Sequence, residues 1–542
     1  MSAEVRTDGR FSHREIQLIL IGLLLGMFLA ALDQTIISTA LKSIAGEFQA
    51  FDQVPWVAVS YMLAATATTP LYGKVSDLLG RRKVYLFAIA VFLLGSVLAG
   101  AAQSMEQLIV FRGIQGIGAG GLLPLAFAVI GDIVAPRQRS KYQGYFGAVW
   151  ALASVAGPLL GGLFTDTLSW RWCFYINLPV GAVAMWAVYR YLHLPPTKRT
   201  VTIDYVGATL LVAAVSALLL GVSLGENQGW DSGWILGLGL AFVVLTAVFI
   251  WWERRVAEPI LPLSLFANPT LSNATAIAFL IGFAMFGAII YLPQYLQIQS
   301  GLGATRAGLQ MLPLMAGILL FSIGSGRVIA RIGRYKPFPI IGTALLVVSM
   351  YLLSTVDGGT SLWLLSGYMF ALGAGLGLSM QTLILAAQSA VNPRDMGVAT
   401  STASFFRTMG GTLGIAGFGV ILNSQFLSSV GPAYDAARPE VDAALASPGL
   451  AADERGLLEA LSPRTLQEVL ADTSTLDFLA TVSPVLQREV LVSFVEALQT
   501  VYLWAVPLML VGFVLAVVHK EVPLRDESGL SEQARVAAEA TV

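Results

Sequence analysis

Fourteen apolar stretches long enough to cross a bilayer dominate this chain, near residues 16–41, 54–73, 84–103, 107–132, 142–165, 173–193, 205–224, 233–252, 271–297, 307–326, 337–356, 361–387, 397–424 and 498–518. A span needs about 20 predominantly apolar residues. Backbone polar groups at membrane depth must be satisfied within the chain, which favours helices for stretches of this length. The sequence therefore predicts an all-α, polytopic membrane protein. With 56% apolar and only 12% charged residues, and a mean hydropathy of +0.73, it fits no soluble globular class.

The stretches also carry a repeat. Between the second and third lies the turn Gly73-Lys74-Val75-Ser76-Asp77-Leu78-Leu79-Gly80-Arg81-Arg82-Lys83, and later comes a second copy, Gly326-Arg327-Val328-Ile329-Ala330-Arg331-Ile332-Gly333-Arg334-Tyr335-Lys336. Internal repeats of this kind build alternating-access carriers. The expected organisation is a tail at 1–15, a six-helix bundle at 16–195, two additional spans at 196–256 outside both repeats, and a second six-helix bundle at 257–518. The second bundle contains an acidic insertion at about 425–496, and a polar tail follows at 519–542. Leu457, Leu458, Leu461, Leu466, Val469 and Leu470 have roughly helical spacing, so the insertion is expected to hold short amphipathic helices.

Lysine and arginine gather in alternate short loops, among them Lys74, Arg81, Arg82 and Lys83, then Arg137, Arg139 and Lys141. The positive-inside rule then places both termini in the cytoplasm. The first apolar run is too long for a signal-peptide core and is read as a retained span. The basic residues form no contiguous patch, so nucleic acid is not an expected partner. Cys173 is the single cysteine, and His13, His193 and His519 fall at span ends, so no metal site is expected. No phosphate-binding Gly-x(4)-Gly-Lys-Ser/Thr loop is present, which disfavours a nucleotide-driven pump. No catalytic cluster marks an enzyme.

Function is best sought where charge is expensive. Asp33, Arg112 and Arg407 fall within spans one, four and thirteen, and ionisable residues at such positions mark transport pathways by default. Asp33 and Arg112 lie at similar depth, about 12 Å from the outer end at about 1.5 Å per residue, so they are candidates to pair and to respond to a proton. A fixed ion pair that only joins helices is the alternative. Arg407 has no evident acid partner and either binds a carbonyl-rich or anionic group or caps a helix break. Gly73 and Gly80 permit close approach and a tight turn, while Asp77, Arg81 and Arg82 offer charge-assisted contacts that can latch one conformation. Ala330 stands where Asp77 does in the other half, so the latch belongs to the first half. Span five carries Gly157, Pro158, Gly161 and Gly162, a small-residue, kinked segment suited to a hinge or seal. Phe28, Phe286, Gln294 and Gln381, together with the candidate cavity residues Gln34, Trp150, Phe283, Tyr291 and Tyr295, suggest a central surface for lipophilic, ring-bearing compounds.

Taken in order, Leu32-Asp33-x-Thr35-Ile36, the Gly73–Lys83 turn, Arg112-Gly113-x-Gln115-Gly116-x-Gly118, Gly157-Pro158-x-x-Gly161-Gly162, Trp170 to Pro179, Glu258 to Phe266 and Ser404-Phe405-Phe406-Arg407-x-x-Gly410-Gly411 resemble the fourteen-helix drug:proton antiporters of the major facilitator superfamily. The resemblance implies a rocker-switch carrier in a bacterial inner membrane that exports amphipathic drugs, antibiotics or dyes in exchange for protons, with no cofactor beyond the coupling ion. It also implies proton and substrate handling by Asp33 and Arg112. Spans two and ten lack the further acids of dication-specialised relatives. The large insertion suggests an alternative, export of lipid or a specialised natural product with an envelope or lipoprotein partner.

Overall fold

The computed structural model describes residues 11–50, 53–194, 204–298, 304–392, 395–446 and 483–524. In chain order the helices are α1 (His13–Phe48), α2 (Val54–Leu79), α3 (Arg81–Gly100), α4 (Met105–Ile133), α5 (Pro136–Thr167), α6 (Trp172–Tyr175), α7 (Asn177–Tyr191), α8 (Tyr205–Gln228) and α9 (Gly233–Glu253). After a 3-10 turn at Leu263–Ala267 come α10 (Pro269–Ile298), α11 (Ala304–Gln310), α12 (Leu312–Ile332), α13 (Pro337–Leu353), α14 (Leu362–Ser389), α15 (Met396–Leu445) and α16 (Pro484–Val518). Eleven described helices are long and apolar enough to span a membrane, and α10 and α13 contribute shorter apolar segments. With α2, and with α6–α7 and α11–α12 each sharing a span, they account for the expected fourteen. Hydroxyl caps start many of them. Ser12 and Glu15 form a reciprocal capping box on α1, and Ser104, Ser232, Ser361 and Ser483 accept backbone N–H groups at the starts of α4, α9, α14 and α16.

Helices α1–α7 enclose one core, with Leu23, Phe92, Phe127 and Phe146 at its centre. Helices α10–α16 enclose another around Ile277, Leu314, Met350, Leu372 and Phe418. The additional pair α8 and α9 attaches through Leu211, Val215 and Phe249 to Ala67 of α2 and to Val398 and Phe405 of α15. On α9 the large side chains Trp234, Leu236, Leu240 and Val243 remain exposed, as suits a surface facing lipid.

Lipid tails are as apolar as leucine, so helix association in a bilayer depends on close packing rather than on escape from water. Glycines supply it here. A Cβ added at Gly282, Gly410 or Gly414 would meet backbone of the facing helix, which brings α10 against α15. Between the bundles, Gly144 and Gly326 do the same for α5 and α12 and Gly73 for α2 and α15, while Gly147 meets the Ser322 side chain and Gly397 the side chains of Asp77 and Arg81.

The insertion departs from expectation at its described flanks. Helix α15 continues to Leu445 through Pro432 and Pro439, and α16 begins at Pro484, so both spans run on as long helices rather than giving way to short ones. Val430, Ala437 and Val441 share one apolar cluster with Leu486, Val490 and Phe494. That shared apolar cluster packs the two extended helices together. Leu457, Leu458, Leu461, Leu466, Val469 and Leu470, and residues 525–542 of the tail, lie outside the described residues.

Candidate functional site

Asp33 and Arg112 meet inside the first bundle, 0% and 1% exposed. Arg112 Nη1 donates to Asp33 Oδ2 at 2.5 Å and to Gln115 Oε1 at 2.7 Å, while its Nε donates to the Val57 carbonyl at 3.2 Å. Its guanidinium lies 4.2 Å from the centre of the Tyr61 ring, a cation–π contact. The other carboxylate oxygen, Oδ1, accepts from Gln115 Nε2 at 2.7 Å and from Asn177 Nδ2 at 3.0 Å. Ser96 Oγ accepts from both amides and donates to the Phe92 carbonyl. Five helices thus converge on one carboxylate or its immediate partners.

Glycine spacing makes the convergence feasible. Gly95 of α3 lies against the backbone of Gln115, and Gly116 and Gly118 of α4 lie against Tyr61 and Phe92. On the other side of α1, Gly157 and Gly161 of α5 press on Thr35, Ile36 and Thr39, and Thr35 Oγ1 donates to the Ala153 carbonyl at 2.9 Å. The span-five glycines therefore hold α1 directly beside Asp33. Pro158 is half-buried in an uninterrupted α5, and Gly162 faces open space.

Asp77 and Arg81 form a second polar centre at the end carrying the basic loops. Arg81 bridges Asp77 at 2.5 Å and Asp132 at 2.7 Å, and Asp77 accepts the backbone N–H of Val398 at the start of α15, at 3.1 Å. This joins the bundles where the helix dipole of α15 favours a negative partner. Gly80, with φ of 94°, allows the turn from α2 into α3. Arg82 has a different place: it donates to the Tyr189 carbonyl at 2.6 Å and stacks on that ring, within the first bundle. The second copy of the turn also meets the opposite bundle, through main chain instead of a carboxylate. Arg137 donates to the carbonyls of Ala330 and Arg331, and Ser140 to that of Gly326. Lys74 pairs with Glu258 at 2.6 Å, tying this end of α2 to the segment after α9.

Arg407 is half-buried within α15, and no hydrogen bond, ion pair or ring contact is recorded for its side chain among the described residues. Helix α15 is unbroken there, so there is no helix break for it to cap. The aromatic candidates divide. Gln34 and Trp150 are half-buried, and Trp150 packs beside Phe28 near α1. Phe283 fills the α10–α15 seam against Phe418, with ring centres 5.0 Å apart. Tyr291 and Tyr295 are buried and donate to the carbonyls of Ile415 and Asp357, so they tie the second bundle together. The Phe286 side chain lies outside the described residues.

Ser96 and Glu47 fall in none of the sequence motifs, and Asn177 falls within the run Trp170 to Pro179 with no role attached to it. At the end opposite the basic loops Glu47 accepts from Trp170 Nε1 at 2.7 Å and pairs with Arg171 at 2.9 Å. Burial opposes its charge, but the hydrogen bonds from Trp170 and Arg171 and the arginine charge outweigh this and hold its carboxyl below the ordinary range.

Two helical bundles joined through extra spans, with a buried carboxylate at their membrane depth and a polar lock at one end, define a membrane carrier. The chain belongs to the Major Facilitator Superfamily, whose profile matches residues 23–207 and 194–415. It is 35% identical to the multidrug transporter protein MdtP of Bacillus subtilis over 533 residues, 98% of this chain and 97% of that protein. It is 38% identical to multidrug resistance protein 3 of the same organism over 417 residues, 77% of this chain and 81% of that protein. Among solved structures, the human organic anion transporter MFSD10 shares the fold, with a TM-score of 0.59 at 17% identity over 93% of this chain and 99% of that one.

Proposed function

We propose that this protein exports lipophilic or amphipathic compounds, such as drugs and dyes, from the bacterial cytoplasm in exchange for protons. The observation that carries the proposal is Asp33, a fully buried carboxylate held by Arg112, Gln115 and Asn177. A buried acid whose ion pair weakens on protonation couples proton uptake to helix position. The multidrug names of the bacterial relatives support the substrate class. On this reading the basic face and both termini are cytoplasmic. The inter-bundle hydrogen bonds of Asp77, Arg137, Ser140 and Gln388 gather at that face, so the conformation described is closed to the cytoplasm. Arg407, with no side-chain partner among the described residues, then serves the substrate as a donor to a carbonyl or anionic group.

The test is pH-gradient-driven ethidium uptake into everted membrane vesicles. Wild type is expected to accumulate the dye, and both Asp33→Asn and an uncoupler to abolish accumulation. Accumulation that survives in a folded Asp33→Asn protein overturns the assignment of Asp33. A second reading, export of lipid with an envelope partner, draws on the paired extensions of α15 and α16. Deleting residues 447–482 leaves that described pair in place. Unchanged drug efflux then argues against a requirement for the insertion.

A further inference from the structure

Every recorded neighbour that hydrogen-bonds to Asp33 is a donor. Arg112 Nη1 reaches Oδ2, and Gln115 Nε2 and Asn177 Nδ2 reach Oδ1. Such a nest suits a carboxylate. A protonated carboxyl is itself a donor and in this arrangement has no acceptor to meet. Gln115 cannot supply one by turning over, because its Oε1 already accepts from Arg112 at 2.7 Å and the turn would set its NH2 group against the guanidinium. Asn177 is different. It is 0% exposed, and its Oδ1 has no hydrogen-bond partner among the described residues. Turning its carboxamide over breaks no bond made by Oδ1 and brings that oxygen to Asp33.

We propose that Asn177 is a positioning residue for the coupling proton: when Asp33 Oδ1 is protonated, the Asn177 carboxamide rotates by half a turn and accepts the new O–H. This rests on the reading that Asp33 carries that proton. A hydronium ion on the aqueous side of the carrier supplies the proton: its O–H bond breaks as the O–H bond on Asp33 forms, water is released, and no other covalent bond changes. Ser96 loses its longer contact to Asn177, at 3.3 Å, and keeps that from Gln115, at 2.8 Å, while its hydroxyl goes on donating to the Phe92 carbonyl at 3.0 Å. The charged and titratable groups facing Asp33 are Arg112 of α4, Tyr61 of α2 and Cys173 of α6. From α3 and α7 the neighbours are the uncharged Ser96 and Asn177, and from α5 Gly157 packs against Thr35, two residues further along α1. Asn177 is the first residue of α7, directly after the joint with α6. A change in its hydrogen bonding therefore acts where the sixth span is already divided.

The test is infrared difference spectroscopy, acid minus neutral, on the full-length protein in lipid, with and without carbon-13-labelled asparagine. A protonated-carboxyl band is expected together with a carboxamide band that shifts on labelling. Asp33→Asn is expected to remove both. Asn177→Leu is expected to keep the carboxyl band, lose the labelled one, and lower coupled dye transport about fivefold, the equivalent of one neutral hydrogen bond. Asn177→Ser, whose hydroxyl both donates and accepts, is expected to retain more transport than Asn177→Leu. A carboxyl band that depends on Asp33 but appears without an asparagine band, or an asparagine band that survives Asn177→Leu, overturns the role of Asn177 and leaves the proton reading standing. A carboxyl band indifferent to Asp33→Asn, or none at all, sinks the proton reading and this proposal with it. The labelled wild type decides the matter even if Asn177→Leu fails to fold.

Discussion

Removing one partner of a buried ion pair strands the other charge at a cost of about 3–5 kcal/mol. That asymmetry is why Asp33 and Arg112 were legible in the sequence: two opposite charges at one membrane depth rarely persist unless they meet. Gln115, Asn177 and Ser96 were not legible as a site, because amides and hydroxyls are common at helix ends and interfaces and carry no comparable penalty. Glu47 yields a prediction at the same scale. Its carboxyl is held below the ordinary value of 4.5, so its contribution to stability is present above that value and is lost as pH falls through the lowered one. With 43% of the side chain exposed the effect is small. Thermal melts of wild type and Glu47→Gln are expected to differ near neutrality and to converge as pH falls through the lowered value. A constant difference across that range would assign the stabilisation to hydrogen bonding without charge.

Helices in this protein are positioned by what their glycines exclude. Gly161 faces Thr39 and the Ile36 carbonyl with no room for a side chain. Gly161→Leu is therefore expected to destabilise the fold by about 1–3 kcal/mol and to displace α1 beside Asp33. Gly162→Leu, which meets nothing within 4 Å, is expected to melt like wild type. Equal melting temperatures for the two variants would show that the span-five motif does not clamp α1. Span positions were readable from hydropathy, whereas the lengths of α15 and α16 were not. A polar helix that continues a span into water has no hydropathic signature, and its stability comes from the Val430–Phe494 seam contributed by distant segments.

For the whole molecule, closure at the basic end is a testable state. A Cβ placed on Gly147 lies 3.0 Å from that of Ser322, near the separation of about 3.5–4.5 Å that a disulfide spans. In a background with Cys173 replaced, Gly147→Cys with Ser322→Cys is expected to cross-link α5 to α12, to stop dye transport on oxidation, and to recover on reduction. Cross-linking without loss of transport would mean that the bundles do not separate at this seam during the cycle. Ala330, standing where Asp77 does in the other half, led the sequence to predict that only the first half closes this end. Only the packing revealed that the second copy, with Ala330 in place of an acid, does so through its carbonyls. Local sequence determined the spans, the two halves and the costly charges, because hydropathy and burial cost belong to each segment. Which groups meet was decided by tertiary structure, since the bonds on Asp33 come from residues 79, 82 and 144 positions away and depend on helix rotation and close approach that no single segment encodes.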